Sequence, residues 1–243
     1  MYALFKKEIN GFFSSLIGII VVVVFLLITG LFLWVFPTGS NIIYGGYATL
    51  DGLFSIAPWV FLFLVPAVTM RFFAEERRNG TIELLLTKPI SDWQIVLAKY
   101  LAGVVLVLIA LLPTLVYYIT VSNIADPVGN VDHGGIFGSY IGLFFLSATF
   151  VSIGVFCSSI TNNQILAFVL SIFFCGFLYV GFEFLSSMAL FGNVDLFIKQ
   201  IGIMAHYESM SRGVIDTRDL IYFLSVIVIF LSLTKLSLSS RKW

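Results

Sequence analysis

The sequence predicts an all-α, polytopic membrane protein with six transmembrane helices, an N-terminal interfacial helix and one short cytoplasmic helix. Three observations lead there. Hydrophobic residues fill 60% of the 243 positions and charged residues only 11%, a balance foreign to soluble domains of this length. Mean hydropathy is +1.06. The apolar residues also gather into six runs, each close to the roughly 20 residues that cross a hydrocarbon core of about 30 Å.

Taken in order, the chain opens with a helix whose residues Tyr2, Phe5, Ile9 and Phe12 make one apolar stripe, with Lys6, Lys7 and Asn10 on the remaining face. Such a segment lies flat on a leaflet, and its lysines attract anionic lipid. The six runs are residues 12–36, 53–70, 93–119, 136–157, 165–185 and 220–238, forming one transmembrane domain over residues 1–243. The first run is rich in valine and is followed by no small-residue cleavage site, so it is expected to stay as a span. Pro66 and Pro113 fall inside the second and third runs and are expected to kink them. In the fourth, Gly138 and Gly142 make a G-x-x-x-G, and Ala148, Ser152, Gly154 and Ser158 continue the run of small residues. This pattern suits close helix contact, either within the chain or between subunits.

Basic residues set the orientation. With the N-terminus inside, Lys6, Lys7, Arg71, Arg77, Arg78, Lys88, Lys99, Lys235, Arg241 and Lys242 fall on the inner side, and only Lys199, Arg212 and Arg218 fall outside. Both termini are therefore expected to be cytoplasmic, in an inner membrane. Trp34, Trp93 and Trp243 lie at or near span ends, where an amphipathic ring prefers to sit.

The loop after the second run reads "EERRNGTIELLLTKPISDWQ", residues 75–94, and holds the densest group of charges in the chain. Asn79 and Gly80 interrupt the helix leaving the membrane, residues 81–87 are long enough for about two turns, and Pro89 forbids continuation. Ser91 and Gln94 have capping-box spacing, which starts the third span at Asp92. Ile82, Leu84, Leu85 and Leu86 then present apolar surface on a piece too short to be stable alone. Two compatible readings follow: a membrane anchor held by Arg77, Arg78 and Lys88, or a rigid docking helix for a cytoplasmic partner.

Residues 70–103, "MRFFAEERRNGTIELLLTKPISDWQIVLAKYLAG", resemble the signature of ABC-2 type permeases, in which a charged exit, a G-T-x-E-x-L-L core, a proline and a downstream lysine recur. The stretch 206–225, "HYESMSRGVIDTRDLIYFLS", is similar to the close of that family, in particular the gliding-motility-associated permeases of Bacteroidota. The resemblance implies a half-transporter whose coupling helix, about residues 81–87, seats in a separate ATP-binding subunit through Arg77, Arg78, Thr81, Ile82, Glu83, Leu84, Leu85 and Leu86. It also implies a second permease subunit, a copy or a paralogue, and a role in export or in the gliding machinery. No P-loop motif occurs in the chain, so ATP is expected on the partner, with no enzyme activity and no cofactor here.

The residues exclude other chemistry more firmly than they specify a substrate. His133, His206, Cys157 and Cys175 form no ligand or nucleophile pattern. No basic stripe points to nucleic acid, and the net charge is zero. Scarce intramembrane charge argues against a proton- or sodium-coupled carrier. Glu183 stands near the outer end of the fifth run, either as a solvated carboxylate or as an outer-gate ion pair with Lys199, Arg212 or Arg218. Residues 186–219 read as an interfacial segment carrying Leu196, Phe197, Ile201 and Met204, with Asp216 and Asp219 opening the last span. A motor-free channel, secondary carrier or assembly scaffold is the alternative to a permease, and the loop at 77–89 discriminates, because only a driven permease requires it.

Overall fold

The computed structural model describes residues 1–86, 90–188 and 192–240, without the side chains of Ile17, Leu84, Leu86 and Asn193. Among the described residues every regular element is helical. In chain order they are α1 (Tyr2–Phe13), α2 (Leu16–Gly30), α3 (Ile42–Gly45), α4 (Asp51–Thr69), α5 (Ala74–Arg78), α6 (Thr81–Leu86), α7 (Asp92–Leu111), α8 (Leu115–Ile124), α9 (His133–Ile160), α10 (Gln164–Gly176), α11 (Phe182–Ser187), α12 (Asp195–Ile201), α13 (Ile203–Met210) and α14 (Thr217–Ser239). Single π-helical turns, Leu31–Val35 and Phe177–Gly181, extend α2 and join α10 to α11. Six stretches are long and apolar enough to cross a membrane: Gly18–Val35, Asp51–Arg78, Asp92–Ile124, His133–Ile160, Gln164–Ser187 and Thr217–Ser239. The chain is a multi-pass membrane protein. Its basal end carries the N-terminus and α5–α6, and its distal end carries α3, α12 and α13.

Local chemistry explains the boundaries. Ser91 Oγ accepts from Gln94 N at 3.3 Å while Gln94 Oε1 accepts from Ser91 N at 3.2 Å, so the capping box starts α7 at Asp92. Asp216 caps α14 by accepting from Arg218 N at 2.9 Å. The start of the first span differs from the sequence reading: Ser15 breaks the helix and its side chain accepts from Gly18 N, leaving Phe12 and Phe13 on α1. The apolar run was continuous across a cap that hydropathy does not register. Pro113 lies in a short 3-10 turn, Leu112–Thr114, that separates α7 from α8. Thr87, Lys88, Pro89, Arg241, Lys242 and Trp243 lie outside the described residues.

The fourth span is the hub. Of its apolar window 78% is buried, against 61% for the second and third spans and 22% for the first, fifth and sixth. Its G-x-x-x-G seats the distal segment: a Cβ at Gly138 would stand 2.5 Å from the Gly213 carbonyl oxygen, and one at Gly142 would stand 2.6 Å from Met210 Cβ. Those glycines let a helix and a loop meet at backbone distance.

A second proline effect binds the same segment. Pro58 lies inside α4 and has no N–H for the carbonyl four residues back, which is that of Phe54. Tyr207 Oη donates to that carbonyl at 2.7 Å, from a side chain only 3% exposed. The distal helix α13 thus satisfies a group that α4 cannot satisfy itself. Ile203, Tyr207 and Met210 face inward, whereas Leu196 and Phe197, on α12, are largely exposed.

Candidate functional site

The charged loop rests on a buried ion network. At the basal end of the second span the helix breaks at 70–73, and Ser158, on the fourth span, closes the break. Its Oγ accepts from Phe73 N at 3.0 Å and Ala74 N at 3.1 Å and donates to Met70 O at 3.0 Å. One hydroxyl therefore serves three backbone groups that the interrupted helix leaves open. The chain then turns into α5, and past its cap at Asn79 comes Gly80 with φ +68°, a left-handed conformation that suits glycine.

Lys99, fully buried in α7, points into this elbow. Its Nζ donates to Glu8 Oε1 at 2.7 Å and to the Phe72 carbonyl at 2.5 Å, and lies 3.0 Å from Glu76 Oε2 in an ion contact without hydrogen-bond alignment. The Phe73 ring faces the same ammonium at 5.0 Å. Glu76 in turn accepts from Lys7 Nζ at 2.8 Å. Burial works against the charge on Lys7, but the hydrogen bond to Glu76 and the fields of Glu76, Glu8 and Glu75 outweigh it and hold Lys7 above the ordinary lysine range. Two lysines and two glutamates balance, the condition under which buried charge is tolerated. The network ties three segments together: α1, the α4–α5 elbow and α7.

Several sequence expectations change here. The buried side of α1 carries Leu4, with Phe5, Glu8, Ile9 and Phe12 half-buried beside it, whereas Tyr2 is 75% exposed. The helix packs on α7 through a polar stripe as well as an apolar one, because Glu8 has a lysine to meet. On the loop, Arg77 is buried and Arg78 exposed; Thr81 and Glu83 are exposed and Ile82 is half-buried against the core. Thr81 Oγ1 donates to Glu76 O at 3.3 Å. Leu85 was expected among the residues offering apolar surface, but it is buried in the chain's own core, since α6 folds back on the bundle. The side chains of Leu84 and Leu86 lie outside the described residues.

A model of the ABC-2 family transporter proteins matches residues 36–205, which span the elbow, α6 and the lysine-bearing α7. The chain belongs to the ABC-2 transporter family. It is a membrane subunit of that family. No curated protein matches the chain.

At the distal end of this ABC-2 subunit a second polar cluster ties α12, α13 and the last span. His206 Nδ1 lies 2.7 Å from Asp219 Oδ1, Ser209 Oγ donates to Asp219 Oδ2, and Asp219 is buried. His206 Nε2 lies 2.8 Å from Gln200 O, so each ring nitrogen faces an oxygen acceptor, a carboxylate on one side and a carbonyl on the other. Tyr222 stacks on the imidazole at a centroid distance of 3.9 Å and donates to Ile201 O at 2.6 Å. Asp219 is thus a tether for α13 as well as a residue of the opening turn of α14. Glu183 pairs with Lys199 at 2.8 Å, both side chains about a third exposed, while Arg212 pairs with Glu208.

The sequence held two signals for the basal network that went unread. Glu8 is the only acidic residue in the first 50 positions, and Lys99 lies inside an apolar span, where an ionisable group calls for a partner.

Proposed function

We propose that this chain is the permease half of an ABC exporter or gliding-associated transporter, with its basal end cytoplasmic in the inner membrane, driven by ATP hydrolysis on a separate subunit and completed by a second permease. The supporting observation is the way the loop is held. The elbow is bound to the fourth span through Ser158 and to the third through Lys99, so a displacement of α5–α6 moves the second and third spans together. A loop that only anchored the protein to headgroups would need no such link.

Arg78, Thr81 and Glu83 offer the exposed contact surface for the ATP-binding subunit, and Arg77, Ile82 and Leu85 form the buried base that keeps α6 in place. Leu84 and Leu86 stay in the coupling set on the strength of the family resemblance. Glu183 with Lys199 serves as the outer gate. The gliding-associated branch is supported by residues 206–225.

The test is purification from detergent followed by identification of co-purifying chains. The wild type is expected to bring an ATP-binding subunit. Arg78→Glu with Glu83→Lys is expected to lower its recovery at least tenfold, with the permease still folded. Two glycines inserted after Gly80 should leave recovery intact and reduce stimulated ATP hydrolysis. Undiminished recovery with the charge-reversed loop would return the segment to the role of a membrane anchor.

A further inference from the structure

Between α1 and the basal end of the second span lies a cavity of about 350 Å³, lined by Lys7, Arg71, Glu8, Glu75 and Glu76 on its polar side and by Phe12 and Ala67 on its apolar side. Arg71 sits in the turn where α4 ends. Its Nε is buried without a hydrogen-bond partner, and among the described residues no carboxylate lies within ion-pair distance of it. Of the carboxylates around it, Glu8 is engaged by Lys99 and Glu76 by both Lys7 and Lys99, while Glu75 is exposed and forms no ion pair with Arg71. A buried guanidinium nitrogen without an acceptor is unfavourable, and its planar fork matches a phosphate.

Ala67 also lines a second, almost wholly apolar groove of about 610 Å³, formed by the first, second and fifth spans with Val24, Phe32, Phe63 and Phe168 on its walls. Ala67 lines both the polar chamber and the apolar groove. A polar chamber holding an arginine at a span end, beside a hydrocarbon groove along the span, has the form of a lipid site.

We propose that the two cavities form one binding site for a glycerophospholipid, with its phosphodiester on Arg71 and one acyl chain between the first and second spans. Lys7 and Arg71 stand among Glu8, Glu75 and Glu76 in the chamber wall, so no excess of positive charge draws the lipid in. Recognition therefore rests on the phosphodiester and extends to a zwitterionic lipid such as phosphatidylethanolamine. An acidic side chain from another protein would satisfy Arg71 and leave the apolar groove empty, which favours the lipid. Bound there, the lipid joins α1 to the second span beside the ion network.

The test is native mass spectrometry of the full chain, purified with whatever subunits it carries and given phosphatidylethanolamine. The wild type is expected to retain one such lipid and Arg71→Gln to lower its occupancy at least tenfold, with Arg71→Lys in between. Val24→Trp, which fills the groove and leaves the chamber intact, should also lower occupancy, and it keeps the test decisive if Arg71→Gln misfolds. Diacylglycerol with the same chains should not be retained, and millimolar inorganic phosphate should not displace the lipid. The proposal is overturned by any of four results: wild-type retention in both variants, equal retention of diacylglycerol, full displacement by inorganic phosphate, or loss of a protein subunit from Arg71→Gln while the lipid stays.

Discussion

At the basal end a lysine is buried completely between two glutamates that come from distant parts of the chain, Glu8 and Glu76 meeting Lys99. At the distal end the buried carboxylate of Asp219 is met by His206 and Ser209, both within 13 positions of it in the chain. The basal network joins three segments remote in the chain, and it depends on full charges. The distal cluster closes a hairpin that Tyr207, Gly138 and Gly142 already hold by packing and backbone contact. The same device, a buried carboxylate, thus carries the architecture at one end and refines a local turn at the other.

That contrast breaks most readily at Lys99. Lys99→Met leaves Glu8 and Glu76 facing each other without their shared cation, and removing one partner of a buried pair costs about 3–5 kcal/mol. Thermal unfolding of the purified protein should show the largest loss of any substitution considered, together with detachment of α1, read as increased protease cleavage near residue 14. Adding Glu8→Gln and Glu76→Gln to Lys99→Met should restore much of the stability, because the uncompensated charges are then gone. An unchanged melting temperature in Lys99→Met would remove the basal network from its architectural role.

The distal cluster should respond more weakly. Asp219→Asn loses a charge-assisted partner of His206 and Ser209 while α13 keeps its packing, so about 1–3 kcal/mol is expected. Limited proteolysis of the segment between residues 192 and 216 is the more sensitive readout, since opening should be local. If Asp219→Asn destabilises the whole protein as much as Lys99→Met, the distinction between an architectural and a local network fails.

The smallest effect belongs to the Glu183–Lys199 pair. Both side chains reach solvent, and such pairs are worth about 1 kcal/mol or less. Glu183→Gln should leave the melting temperature nearly unchanged and, if the pair gates the outer end, should reduce transport, with the exchange Glu183→Lys plus Lys199→Glu restoring part of it. The hydrogen bond that Lys199 donates to Glu183 holds Lys199 above the ordinary lysine range. A raised lysine stabilises most below the ordinary value of about 10.4 and loses that contribution as pH rises through the higher folded value. Stability should therefore be insensitive to this pair from neutral pH to about pH 10 and fall only beyond, and Lys199→Met should remove that alkaline component.

Legibility followed the range of the interaction. The Ser91–Gln94 box and the Asp216 cap were readable because cap and helix are neighbours in the chain. The G-x-x-x-G at Gly138 was readable as a close contact, but its partner, the turn at Gly213, carries no periodic mark. What covers Leu85 could not be read for a related reason: a two-turn helix shows which residues are apolar, not which side of it the bundle occupies. Pro58 lies within the second run but was not singled out with Pro66 and Pro113, and the hydroxyl that satisfies the carbonyl of Phe54 comes from Tyr207, 153 positions away.

From the sequence alone, six spans, their approximate limits and the isolated charged loop were determined, because bilayer thickness and proline and glycine stereochemistry act locally and leave a local trace. Only the tertiary structure decided that Glu8, Glu76 and Lys99 share one site, that α6 turns Leu85 inward, and that Arg71 Nε is buried without a hydrogen-bond partner among the described residues. Charges and hydroxyls are paired by three-dimensional proximity, and proximity between segments remote in the chain is set by the packing of whole helices around the fourth span.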